Sequence, residues 1–158
     1  MSAYLTLKWL HILSSVLLVG TGFGTAYFFY FTNRSDNVQA QAVVAHLVVR
    51  ADWWFTTPAA IVQPLSGLVL ATWAGYPLTS LWIAISLALY VLAGACWVPV
   101  LWLQHRMALI AQQCAAQGSS LPSEYHRLAQ RWEWLGYPAF AAMLIVFWLM
   151  VAKPTLTA

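Results

Sequence analysis

The sequence predicts an all-α fold, an antiparallel four-helix transmembrane bundle with kinked helices, and three observations carry that prediction. Hydrophobic residues make up 62% of the 158 residues and charged residues 7%, against about 25% charged in soluble domains, so most of the surface has to face lipid. Four apolar runs, at about 4–32, 52–73, 81–103 and 132–152, reach the ~18 residues that a bilayer crossing needs. Pro58, Pro64, Pro99 and Pro138 fall inside these runs, and each removes a backbone donor and bends its helix. The whole chain, 1–158, is one domain's worth.

The first run, Tyr4 to Thr32, lacks the basic leader and short apolar core of a cleaved signal, so it is read as a retained helix. It carries Lys8 and His11 inside apolar sequence, where a charge costs roughly 2.5 to 3.5 kcal/mol on insertion scales. Lys8, His11, Ser15, Leu18, Gly22 and Thr25 recur at steps of three and four, which predicts one stripe facing protein, with His11 pointing into the bundle. Gly20 and Gly24 form a GxxxG that permits close helix approach.

Asn33 to Asn37 reads as a turn, and Val38 to Ala51 as an amphipathic lead-in to the second span, with Gln39, His46 and Arg50 on one face. Inside that span Gln63 sits beside Pro64, with Ser66-Gly67 following, so Gln63 is a candidate for lining the interior. Ala74 to Pro77 is a tight turn that makes the second and third helices antiparallel neighbours. The third span runs on as a polar helix to Gln117, where Gly118 reads as its stop. Ser119 to Ser123 restarts a helix that Lys153-Pro154 ends.

Charge gives orientation. Arg34, Arg50, Arg106, Arg127 and Arg131 lie on one side, and only Lys8 and Lys153 on the other, so the positive-inside rule places both termini outside. Most of the ten tryptophans fall near span ends, as an aromatic belt would have them. The net charge of +3 rests on seven dispersed Lys and Arg, which excludes a nucleic-acid footprint. Cys96 and Cys114 make neither a disulfide framework nor a CxxC site. GxSxG, HExxH and glycine-rich phosphate loops are absent.

Any chemistry therefore has to come from intramembrane polar groups. His11 is the one histidine well inside a span. One reading makes it an axial ligand of haem iron, with Lys8 a partner for a propionate or an acidic substrate. The other makes it a histidine hydrogen-bonded to a neighbouring helix, with Lys8 snorkelling to the headgroups. His46, His105 and His126 all map to the opposite membrane boundary, so Met143 and Met150 are the candidates for a second ligand. Those three histidines, with Arg50, Arg106 and Glu133, form a second constellation that could bind a metal or take up protons.

Lys8-Trp9-Leu10-His11, Thr57-Pro58-Ala59, Gly67, Arg131 with Pro138, and the closing Lys153-Pro154 resemble the HemJ-type membrane protoporphyrinogen oxidases. The chain is more similar overall to a bacterial family of small predicted integral membrane proteins without an assigned function. That likeness rests on Trp54 to Ala59 with Gln63 to Gly67, on Trp97-Val98-Pro99, and on Phe147 to Met150 before Lys153-Pro154. The HemJ resemblance implies haem b at His11, oxidation of protoporphyrinogen IX, and delivery of electrons to quinone or a respiratory partner. The chain departs from that pattern in its third span, which lacks a lysine and a histidine, and at Gly136-Tyr137 before Pro138, where an Asn-Glu pair is expected.

The resulting expectation is a haem-associated membrane redox protein, with Lys8, Arg50, Gln63, Met143 and Met150 around the cofactor. Membrane lipid, an electron acceptor and a second copy of the chain are its expected partners. A non-catalytic accessory subunit of a larger complex is the alternative, and a transporter is a third reading, although the four spans show no internal repeat.

Overall fold

The computed structural model describes residues 2–154, and those residues form helices joined by short turns, with no strand among them. In chain order these are α1 (Ala3–Thr32), α2 (Val38–Ala51), a π-helical turn (Asp52–Thr56), α3 (Thr57–Trp73), α4 (Leu81–Gln117) and α5 (Ser123–Ala152). The segments from Val38 to Trp73 run on as one helix, so four helices are long and apolar enough to cross a membrane. The fold is a four-helix membrane bundle.

The ends are set by local chemistry. Asn37 Oδ1 accepts the Ala40 N–H at 3.0 Å and starts α2, satisfying one of the donors a helix start leaves free. At the end of α4, Gly118 takes φ 63° and the Ser119 N–H reaches the Cys114 carbonyl at 3.0 Å, a left-handed stop that glycine adopts without steric cost. Lys153 leaves the helical conformation and Pro154 cannot rejoin it, so α5 ends there.

Proline explains the π turn. Pro58, in the first turn of α3, has no N–H to give the Trp54 carbonyl, and its ring crowds that carbonyl. The turn before it widens, and the Thr57 N–H bonds to Asp52 five residues back. Pro64 frees the Ala60 carbonyl in the same way, and Tyr90 of α4 donates its hydroxyl to that carbonyl at 2.7 Å.

Packing changes partner at the π turn. On one side of it α2 lies along α4; on the other α3 lies along α1, while α4 runs beside α5. The expected pairing of the second and third helices is closest along α2, while α3 meets α4 more sparsely, through Tyr90 at the Ala60 carbonyl and Ala71 beside Trp82 and Ile83. The main core lies at the loop end of the bundle, where Phe29, Ala45, Met107, Ala111 and Tyr125 are fully buried. At the end bearing the chain termini a smaller cluster joins Trp82, Ile83 and Leu149.

Two packing expectations fail. A Cβ added at Gly20, Gly22 or Gly24 would meet nothing within 4 Å, so the GxxxG makes no close helix contact within the chain. Trp82 and Trp132 turn inward instead of joining the belt; Trp132 meets Phe29 edge-on at 5.1 Å, and Trp82 meets Tyr76 at 5.4 Å. Each ring has an aromatic partner in favourable edge-to-face contact, Trp132 with buried Phe29 and Trp82 with Tyr76 of the exposed turn.

Candidate functional site: the His11 network

Residues on α1 and α3 meet about two turns below the N-terminus. His11 Nδ1 lies 2.8 Å from Ser66 Oγ, and its Nε2 lies 3.2 Å from Gln63 Nε2. Ser14 donates its hydroxyl to Gln63 Oε1 through a short contact, and Ser66 donates to the Val62 carbonyl at 2.6 Å. With the Gln63 amide placed so that its nitrogen faces the ring, Nε2 accepts from it. With the Ser66 proton on the Val62 carbonyl, Nδ1–H donates to Ser66 Oγ. This arrangement corresponds to a neutral imidazole with its proton on Nδ1.

Gly67 makes room for it. A Cβ there would stand 3.0 Å from His11 Cε1, closer than carbon atoms pack. The ring is thus fitted against the backbone of α3, and its two nitrogens join α1 to α3 inside the apolar layer. Interhelical hydrogen bonds in a membrane contribute about 0.6 kcal/mol each, up to about 1.7, so this network positions the two helices more than it stabilises them.

The expected stripe on α1 needs rotation. Ser14 is buried and bonds to Gln63, whereas Ser15 bonds only to the Ile12 carbonyl of its own helix. Lys8 is exposed, one turn from His11 towards the chain terminus. Gln63 is half-buried between α3 and α1, bonded to His11 and Ser14. Arg50, expected in the interior, is exposed and lines an open groove with Thr25, Phe28, Leu47, Trp54 and Phe55, because the α2 face that meets α4 carries Gln41, Ala45 and Val48 instead.

The methionines separate by depth. Phe29 faces Trp132, and Phe23 faces Phe140 with ring centroids 5.0 Å apart, an antiparallel register that carries His11 to about the level of Met150. Met143 lies roughly 10 Å short of it along α5 at 1.5 Å per residue. Met150 is exposed, on a helix that packs along α4, and the ring partners of His11 are Gln63 and Ser66 instead.

The second constellation does not assemble. Glu133 pairs with Arg34 at 2.8 Å, Arg106 with Glu124 at 3.0 Å, and His46 Nδ1 with the Gln112 amide at 3.3 Å. Among the described residues no cluster of His, Cys, Asp and Glu could hold a metal ion. Arg34 also stacks on the Tyr30 ring at 3.5 Å, and its hydrogen bonds to Glu133 hold the guanidinium proton above the usual range.

Over residues 5–154 the chain matches the family described as predicted integral membrane protein (DUF2269). The chain belongs to this family. The match bears out the likeness to a predicted membrane family, and no likeness of DUF2269 to the HemJ-type enzymes is shown by it. No curated protein and no solved structure matches the chain. What is established for this DUF2269 member is thus an integral membrane protein with four candidate spans.

Sequence reasoning passed over Ser14 and Tyr90, and it also passed over a buried carboxylate, Asp52, where the helix changes partner. The signal for Asp52 was present: an acid directly before Trp53-Trp54-Phe55 is costly at a membrane boundary unless protein covers it.

Proposed function

We propose that the protein is a haem-associated membrane redox protein in which His11 is the one ligand that the chain supplies to the iron. The observation that supports this is the tautomer. The Nδ1–H of His11 is committed to Ser66, so the lone pair on Nε2 is the one available to a metal, and a hydrogen-bonded second nitrogen is the usual support for a ligating histidine. Nε2 now accepts one neutral hydrogen bond from Gln63. Exchanging it costs about 1 kcal/mol, little beside a metal–nitrogen bond, and requires the Gln63 amide to swing aside.

The reading rests on one ligand, since Met143 lies at a different depth and Met150, level with His11, is exposed, while the ring's present partners are Gln63 and Ser66. Bound haem would supply one-electron transfer. The chain would contribute the iron ligand through His11, orientation through Ser66 and Gly67, and a cation for a propionate through Lys8. The electron acceptor is a quinone or respiratory partner. Arg34, Arg50, Arg106, Arg127 and Arg131 at the loop end support an orientation with both termini outside, and the membrane would be the bacterial cytoplasmic one that the family likeness implies.

The test is an absorption spectrum of the full chain in mild detergent, oxidised and dithionite-reduced, with haem measured per chain. One haem per chain with a five-coordinate, carbon-monoxide-binding spectrum, lost in His11→Ala, is the expected result. A clean spectrum after expression with added haem precursor overturns it. The second reading then stands, a non-catalytic accessory subunit, and the closure of the His11 network favours it, because both ring nitrogens already have partners. A stoichiometric partner that co-purifies without a chromophore is its signature.

A further inference from the structure

Asp52 is 2% exposed and sits at the first residue of the π turn. Against its carboxylate lie the side chains of Thr56, one turn on, and of Gln104 from α4, which are 3% and 4% exposed. The i→i+5 bond from the Thr57 N–H to the Asp52 carbonyl widens the turn, so residues 56 and 57 both fall on the side of residue 52. Four buried side-chain polar atoms among the described residues have no hydrogen-bond partner. Three of the four are on Thr56, its neighbour Thr57, and Gln104: Thr56 Oγ1, Thr57 Oγ1 and Gln104 Oε1.

An unpartnered buried hydroxyl or amide oxygen costs about 1–3 kcal/mol, and a buried carboxylate without a counter-charge costs several more. No basic residue offsets this one. The two ion pairs among the described residues are Arg34–Glu133 and Arg106–Glu124, and nearby Arg50 points into the outer groove. One occupant among these side chains, on the π turn between α2 and α3, would satisfy several of them at once.

The geometry points to an alkali-cation site, formed by the Asp52 carboxylate, the Thr56 and Thr57 hydroxyls and the Gln104 amide oxygen, that takes sodium. Every donor is an oxygen, which suits a hard cation and not a transition metal. The set carries one negative charge, so a monovalent ion leaves the site neutral, whereas a divalent ion leaves a net positive charge in a low-dielectric layer. Three donors come from one and a half turns of a single helix, a compact arrangement that favours the smaller alkali ion. Along the helix the site is separated from Gln63 and Ser66 by about 9 Å at its nearer end, Thr57, and about 21 Å from Asp52 to Ser66, and it shares no residue with the His11 network.

The test uses the full chain in detergent, with thermal unfolding followed in sodium, potassium and choline chloride at matched ionic strength, together with equilibrium binding of radioactive sodium. A saturable rise of about 3 °C in sodium over choline, and about one sodium per chain displaced by sodium and poorly by potassium, are the expected results. Both are lost in Asp52→Asn and in the near-isosteric Thr56→Val. Equal unfolding temperatures in the three salts with no bound sodium overturn the site, as does a sodium response that survives in Asp52→Asn. If Asp52→Asn fails to fold, Thr56→Val with the binding measurement decides.

Discussion

Gly67→Ala isolates how His11 is held. The added methyl would stand 3.0 Å from Cε1, 3.7 Å from Nδ1 and 3.8 Å from Nε2. Ordinary contact returns if the ring recedes by about 0.4 Å, and it must recede from α3, the helix that carries both of its partners. The Ser66 contact then lengthens from 2.8 Å to about 3.2 Å and survives, while the Gln63 contact lengthens from 3.2 Å to about 3.6 Å and is lost. Overpacking costs about 1–3 kcal/mol and the hydrogen bond about 0.6 more, against about 1 kcal/mol gained by alanine over glycine in a helix. The expected net is a loss of about 1–2 kcal/mol, read as an unfolding midpoint lower by roughly 3–6 °C. Nitrogen NMR of labelled histidine checks the mechanism: the Nε2 resonance should move towards that of an unbonded neutral imidazole, with Nδ1 almost unchanged. A stabilised Gly67→Ala protein with both nitrogen shifts unchanged would refute the close fit of the ring.

Tyr90→Phe should lower stability by about 1 kcal/mol, because it strands the carbonyl that Pro64 frees. Pro64→Ala restores the ladder donor to that carbonyl, so the double variant should recover most of the loss; additive losses in a double-mutant cycle would count against the pairing. Glu133→Gln removes the negative charge and one of the two oxygens that accept from Arg34 at 2.8 and 3.0 Å. Its cost should stay under about 1 kcal/mol and shrink in high salt, since the pair is partly exposed; a loss unaffected by salt in thermal melts would contradict that. Tyr125→Phe leaves Asn33 Oδ1 without the hydroxyl that donates to it at 2.6 Å. Because the Asn33 amide nitrogen is already unpartnered, a loss of about 1–2 kcal/mol is expected, and a neutral result in the same assay would show that water reaches the turn.

The spans were legible because apolar length and proline position act locally, and the helix ends were legible from Gly118 and Lys153-Pro154 for the same reason. His11 and Gln63 could be found because polar groups are rare inside apolar runs. Rotation about a helix axis was not so accessible. Ser14 and Ser15 are one residue apart, and only the placement of α3 against α1 decides which of them meets Gln63. Arg50 was misread for a related reason: the polar positions of α2 share one face, but the face that α4 covers is lined by Gln41, Ala45 and Val48. Asp52 looked like a boundary residue because its burial comes from Gln104, fifty-two positions later, on a helix that continues past the apolar run. Non-local cover of this kind leaves no periodic trace near the residue itself.

Pro58 accounts for the π turn locally, yet the turn should outlast its removal. Pro58→Ala returns an N–H to the Trp54 carbonyl, a gain of about 1 kcal/mol. Relaxing the π turn to an α turn, however, removes one residue from the winding and rotates α2 by about 100° relative to α3. That rotation would carry Ala42, Ala45 and Val48 out of the core they share with Met107 and Ala111, or else pull His11 away from Ser66 and Gln63. Either change forfeits several buried contacts, each comparable with the hydrogen bond gained. The packing on both sides of the turn therefore wins, and Pro58→Ala should change stability by less than about 1 kcal/mol. Distances between spin labels at exposed positions 43 and 69 should stay as they are in the parent protein. A stable Pro58→Ala protein in which that distance shifts by several ångströms would show that proline, and not the change of packing partner, holds Asp52 where it is.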